Sequence, residues 1–191
     1  MKGKHIITIA GKLGSGKSTT AKKVAEILNL KHFSSGDFLR SVAESRGMTI
    51  GELMIAAESD PQIDYDIDRI LQDKGQEENI IIDSRLAFHW IPESFKVYLD
   101  IDPDIAAQRM FDNLQENEER KRTEDSQDVQ SMKMSMIARH DSDVRRYQNL
   151  YGINHTDHTN FDLVIDTGKS ENDIATVVAK IIEGYKRHLE K

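Results

Sequence analysis

Nine consecutive residues, Gly11-Lys12-Leu13-Gly14-Ser15-Gly16-Lys17-Ser18-Thr19, combine three glycines, two lysines and three hydroxyls. Their spacing fits G-x-x-x-x-G-K-[ST], a phosphate-binding loop. Glycines let the backbone approach phosphates, and the unpaired N–H groups of the turn point at them along the positive end of a helix dipole. Lys17 is then placed to reach the β- and γ-phosphates, and the Ser18 hydroxyl to ligate Mg²⁺. The flanks suit such a loop: residues 5–10 (HIITIA) read as a buried strand and residues 18–28 (STTAKKVAEIL) as a helix. The chemistry this set is equipped for is binding of a nucleoside triphosphate.

A second set of residues follows later strands. Ser34-Ser35-Gly36-Asp37-Phe38-Leu39-Arg40 comes after one short apolar run, Asp83-Ser84-Arg85 after another, and Arg139, Ser142, Asp143, Arg145 and Arg146 lie far downstream. In a parallel sheet the C-terminal strand ends converge on one crevice. Asp37, Arg40, Asp83 and Arg85 are therefore expected in the same cleft as Lys17. Arginine grips phosphate bidentately, and bringing two anions together requires cations placed in advance. This pattern points to phosphoryl transfer between two phosphorylated molecules. Arg40 also fits an ordinary surface helix position, whereas an arginine beside Asp83 at a buried strand end needs a partner. Arg139 and Arg146 are seven residues apart and project from one face of a helix. They serve either as phosphate contacts or as a solvated ion-pair stripe with Asp143. Arg145 points elsewhere and reads as a surface residue.

The elements that must position these groups alternate along the chain. Candidate strands are 6–10, 31–34, 79–83, 95–101 and 162–166, several of them continuous apolar runs (IIID, KVYLDI, LVID). Strands of that kind are covered on both faces, which predicts a parallel five-stranded sheet in a three-layer α/β/α fold. Thr49-Ile50-Gly51-Glu52 is a capping box, Ser170 with Asp173 a looser one, and Pro103 suits the start of a helix. Residues 115–128 (QENEERKRTEDSQD) are dense in charge and read either as a solvated segment or as a mobile lid. Val129, Met132, Met136 and Ile137 then recur at helical spacing. Met134 falls off that stripe. The second Gly-Lys-Ser, at 168–170, lacks the upstream glycine and reads as the start of a helix.

The 191 residues suit a single domain spanning 1–191, and 26 basic against 33 acidic residues leave a net charge of −7. That balance argues against nucleic acid as the main partner. With no cysteine there is no disulfide framework, thiolate metal site or cysteine nucleophile. Neither a signal-peptide pattern nor a membrane span is present, so a cytoplasmic, monomeric protein is expected.

Together these motifs resemble the nucleoside monophosphate kinases, and most closely the archaeal-type cytidylate kinases, over nearly the whole chain. The family's S-x-G-D-hydrophobic-x-R matches Ser34–Arg40. Its D-P-x-I-D-x-x-I-D-R matches Asp60–Arg69, and its R-x-x-S-x-x-x-R-Y-x-x-x-Y-G-I matches Arg139–Ile153. The resemblance implies transfer of the ATP γ-phosphoryl group to CMP or dCMP, on a P-loop kinase fold with a helical acceptor-binding region at about 36–75 and a lid at about 112–140. It implies that residues 11–19 hold ATP, with Arg109 against its base. Ser18 would ligate Mg²⁺ and Asp83 would hold a water of that ion. Arg40 and Arg85 would grip the acceptor phosphate, with Ser35 and Asp37 beside it. Arg139 and Arg146 would bridge both phosphates, and Arg69 and Asp143 would contact the acceptor base or sugar. The chain departs from the family in reading Asp83-Ser84-Arg85-Leu86 for E-G-R-L, and in a longer, more polar lid where Arg120 and Arg122 offer substitute contacts.

Rival readings share the loop. A kinase for AMP, UMP, shikimate or gluconate differs only in its acceptor pocket. A nucleotide switch lacks support, since neither N-K-x-D nor D-x-x-G is present. A regulatory nucleotide-binding protein would bind ATP without efficient turnover. His155, Asp157 and His158 read as a surface loop more readily than as metal ligands. Trp90 lines the acceptor pocket or packs in the interior.

Overall fold

A computed structural model describes residues 5–116 and 126–190; the expectations resting on Arg120 and Arg122 lie outside the described residues. The central strand β1 (Ile6–Gly11) is buried at every position. It pairs on one side with β3 (Ile80–Asp83) and on the other with β4 (Phe95–Asp100). Strands β2 (Lys31–Ser34) and β5 (Leu163–Asp166) complete the order β2-β3-β1-β4-β5, with every pairing parallel. The third strand starts one residue later than the sequence suggests because Asn79 takes φ 58°, which no strand residue adopts.

Alternation along β1 divides the core. Ile7 and Ile9 pack against Ala21 and Val24 of α1 (Lys17–Leu28) and Val177, Val178 and Ile181 of α8 (Ile174–Leu189). Ile6 and Ala10 face the opposite layer, with Leu71 of α4 (Gln62–Lys74), Phe88 of α5 (Ala87–Trp90) and Tyr147 of α7 (Val129–Tyr151). Each of the larger aliphatic side chains here, Val, Leu or Ile, contributes about 2 kcal/mol by leaving water. The result is the three-layer parallel α/β fold.

Two satellite cores carry the mobile-sounding parts of the chain. Leu39 and Ala43 of α2 (Ser35–Ser45) join Leu53 and Met54 of α3 (Ile50–Ser59) and Ile63 of α4. Met110 and Leu114 of α6 (Pro103–Glu116) join Met132 and Met136 of α7. Ile137, expected on the same stripe, is instead exposed at the outer edge of α7.

The capping box at Thr49 forms, with Thr49 N–H donating to Glu52 at 2.7 Å and Glu52 N–H returning to the Thr49 hydroxyl at 3.2 Å. The looser box does not. Asp173 itself caps α8, accepting from Thr176 N–H at 2.7 Å. Residues 168–170 stay in a turn, because Asp166 binds Gly168 N–H at 2.9 Å and its carbonyl accepts from Asn172 at 2.7 Å.

Candidate active site

The loop between β1 and α1 owes its path to two glycines. A Cβ on Gly11 (φ 140°) would overlap the carbonyl oxygen of Leu99, its partner in the sheet. One on Gly14 (φ 76°) would stand 2.7 Å from the Ala106 carbonyl of α6. Ser15 is buried and its hydroxyl closes the turn onto Lys12 C=O at 2.8 Å. Lys17 curls back and donates to the carbonyls of Gly11 at 2.9 Å and Lys12 at 2.7 Å, so its ammonium is held over the loop. Lys12 points the other way, to Asp100 at 2.7 Å.

The sheet then delivers the second set. Ile9 pairs with Asp83 and Ser34 pairs with Asp83 across β3, so three strand ends meet beside the loop. Asp83 is 4% exposed. It accepts from the Ser18 hydroxyl and, at 3.3 Å, from the Ser34 hydroxyl. The hydroxyl of Ser35 donates to its carbonyl at 3.3 Å.

A cleft of about 690 Å³ opens over these groups, within the range that encloses a small ligand. Its walls include Lys17, Ser18, Thr19, Ser35, Arg40, Asp83, Arg85, Arg109 and Arg139. Arg109 is tied at 3.0 Å to the carbonyl of Thr167, and Asn113 and Asn172 complete that end. Nothing in the sequence singled out Asn113, Thr167 or Asn172, since they belong to no motif.

Four expected residues stand elsewhere: Asp37, Arg69, Arg146 and Asp143, the last buried and outside the cleft it was expected to line. Asp37, in the first turn of α2, is exposed and pairs with Arg40, so it orients that arginine without lining the cleft. Arg69 is exposed on α4 and lines none of the described cavities. Arg146 is only 5% exposed. Its Nε donates to Asp64 at 2.8 Å, Nη2 to Asp143 at 2.9 Å and Nη1 to Ser142 at 2.7 Å. Seven residues along a helix carry a side chain about 10 Å along its axis. Arg139 accordingly reaches the cleft while Arg146 is buried between α4 and α7. The ion-pair reading of this stripe is right about its partner Asp143 and wrong about solvation. Arg145 is exposed, against Glu58 at 2.7 Å.

Asp143, 1% exposed, joins this network to the cleft through Arg85 Nε at 3.1 Å. Burial, the largest single influence, would lower the Arg85 pKa, but Asp143 together with Tyr147 and Asp83 outweighs it, and the guanidinium stays charged. Burial raises the pKa of Asp64, against the pull of Arg146. Two arginines and two carboxylates thus balance beneath the cleft, and a buried pair of this kind fixes geometry more than it adds stability.

Trp90 resolves toward packing, its Nε1 donating to Asp68 at 2.9 Å and its ring edge-on to Tyr151 at 5.5 Å. His155 corrects the surface-loop reading: it is 5% exposed against Tyr147 and His140, while Asp157 and His158 are exposed. Among the described residues no three His, Cys, Asp or Glu side chains gather as a metal cluster.

Residues 10–131 match a family described as an AAA domain. A cytidylate kinase from Haloarcula marismortui is 37% identical over 185 residues, covering 94% of this chain and 90% of the relative. The chain belongs to the cytidylate kinase family. Another cytidylate kinase, from Methanopyrus kandleri, is 33% identical over 93% of each chain. Among solved structures, a shikimate kinase from Acinetobacter baumannii superposes with a TM-score of 0.58 at 16% identity, covering 95% of this chain and 93% of that one. That likeness shows the shared fold. Within the cytidylate kinase family, the gathering of Lys17, Arg40, Arg85 and Arg139 around one cleft is what a phosphotransferase requires.

The residues present also fit a magnesium ion. Mg²⁺ takes oxygen ligands, commonly one carboxylate or hydroxyl with water and substrate phosphates. Ser18 Oγ and Asp83 Oδ2 meet beside Lys17 at the mouth of the loop. That pair supplies such oxygens without the three-residue cage the described residues lack.

Proposed function

We propose that this protein transfers the γ-phosphoryl group of MgATP to CMP or dCMP, giving ADP and CDP or dCDP. The observation that carries this is one cleft lined together by the phosphate loop and by Arg40, Arg85 and Arg139. Residues 11–19 hold the triphosphate, with Lys17 on its β- and γ-oxygens and Arg109 beside the base. Ser18 and Asp83 would hold Mg²⁺, the latter through water, and the ion would neutralise charge on the phosphates. Arg40, oriented by Asp37, and Arg85, aimed by Asp143, hold the acceptor phosphate in line. Arg139 spans the gap.

No strong base is needed. A loose transition state spreads charge over the transferring group, and positioned cations lower its energy. The lid expected at about 112–140 includes residues 117–125, which lie outside the described residues; its role would be to exclude water, which otherwise competes as acceptor. Ser35 sits at the acceptor phosphate. Arg146 acts through Asp143 and Asp64 and does not touch phosphate. The protein works as a cytoplasmic monomer on small nucleotides. Among the described residues no helix is long and apolar enough to cross a membrane.

The test is ADP release from MgATP with CMP, dCMP, UMP, AMP or no acceptor. CMP and dCMP should stimulate strongly, and Lys17→Ala should lower kcat by about three orders of magnitude, the scale of removing a transition-state charge contact. Preference for AMP or UMP would keep the kinase and overturn the acceptor. Stimulation by none of them, with ATP still bound, would refute the reading.

A further inference from the structure

Beside the acceptor end of the cleft is a much smaller cavity of about 20 Å³. Ser35, Leu39, Ser84 and Arg85 wall both spaces, and Asp64 and Asp68 line only the smaller one. About 10–15 Å³ accommodates a single water molecule. The space therefore suits one small polar group, not a ring.

The two carboxylates differ. Asp68 is engaged at both oxygens, by Trp90 Nε1 at 2.9 Å and by the Tyr151 hydroxyl. Asp64 Oδ2 accepts from Arg146 Nε at 2.8 Å, while Oδ1 receives only a long 3.4 Å bond from Nη2. Among the described residues Asp64 Oδ1 thus keeps acceptor capacity, and Asp64 lines the cavity. Buried polar groups are ordinarily satisfied, so spare capacity of this kind calls for a donor.

Resting on the monophosphate-kinase reading, we propose that Asp64 reads the exocyclic amino group of a 4-aminopyrimidine acceptor. The amine enters the small cavity and donates to Asp64 Oδ1, while the ring stays in the cleft between Leu39 and Arg85. A carboxylate is acceptor-only. A 4-keto oxygen at the same point would set lone pairs against the carboxylate, so a keto pyrimidine is refused as well as less well bound. Carboxylate recognition of the cytosine amine is a pairing the base edge itself favours. The burial of Arg146 then has a purpose: it holds Asp64 charged and fixed in orientation, and leaves phosphate contact to Arg85 and Arg139.

The test uses the full chain with MgATP and three acceptors: CMP, UMP, and 2-pyrimidinone ribonucleoside monophosphate, which carries hydrogen in place of the amine. The wild-type protein should favour CMP over the pyrimidinone by about tenfold or more in kcat/KM, the worth of one hydrogen bond to a charged group. Asp64→Asn should compress that ratio to within about threefold, and should raise UMP relative to CMP, because the amide can donate to a keto oxygen. A uniform loss with the ratios unchanged would overturn the proposal and leave Asp64 as a structural partner of Arg146. So would a wild-type protein indifferent to the missing amine. If Asp64→Asn fails to fold by circular dichroism, Asp64→Glu, which keeps the charge but misplaces it, takes its place and the same ratios decide. ADP release stimulated by no monophosphate refutes the kinase reading itself, and this proposal with it.

Discussion

His155 packs edge-on to Tyr147 at 5.1 Å, and burial, followed by the charge of Arg85, pulls its pKa down to about 4. Asp143 opposes that fall, while His140 and Lys17 add to it. The imidazole is therefore neutral in the fold and protonates near pH 6.5 once unfolded. Between pH 6.5 and about 4 the unfolded chain binds the extra proton, so stability falls as the pH falls across that window. A shift of that size corresponds to about 3 kcal/mol. His32, lowered chiefly by burial, tilts the curve in the same direction. We expect the melting temperature of His155→Phe to fall less steeply from pH 6.5 to 4.5 than that of the wild type. Parallel curves would show that His155 contributes nothing to the acid sensitivity. Neither the burial nor the shift was legible in the sequence, where Asn154, Thr156, Asp157 and Thr159 make the neighbourhood polar. The side chains that bury His155 come from α7, and no local pattern announces them.

At the level of elements, the phosphate loop was legible because its chemistry is local: strand, glycines and helix are contiguous. Its glycines nevertheless answer to distant backbone. The Cβ of an alanine at Gly14 would meet the Ala106 carbonyl at 2.7 Å and its Cα at 2.9 Å, at φ 76°. The atoms met are the backbone and Cβ of Ala106, none of which is the far end of a flexible side chain. Gly14→Ala should push the loop off α6, lowering ATP affinity at least tenfold in calorimetric titration and costing about 1–3 kcal/mol of stability. Unchanged ATP binding would show that the loop and α6 can separate at no cost to the site. The strands too were legible, since their apolar runs need no context. The fate of α7 was not. Asp143 and Arg146 are three residues apart on one helix whether that face is wet or buried, and the deciding partner, Asp64, lies 82 residues away from Arg146. Spacing carries the pairing but not the dielectric around it.

For the whole molecule, the strand order β2-β3-β1-β4-β5 assigns the two ends of the cleft to opposite sides of β1. Ser35, Arg40 and Arg85 come from the β2–β3 side, whereas Arg109, Thr167 and Asn172 come from the β4–β5 side. On the proposed reading, donor base and acceptor would be bound by different elements that meet at the phosphates. The single tryptophan offers a way to see this division. Trp90 is bonded to Asp68, which lines the small cavity at the acceptor end, and it packs on Tyr151 at the end of α7. On the proposed reading, an acceptor reaching the small cavity would lie against Asp68, the hydrogen-bond partner of the indole. Arg109, by contrast, is on α6, which follows β4 on the other side of β1. Titration with CMP should therefore shift the intrinsic emission, and ADP alone should leave it nearly unchanged. An equal response to both would mean that the sheet transmits binding across β1, and the two ends of the cleft would then have to be treated as one coupled site.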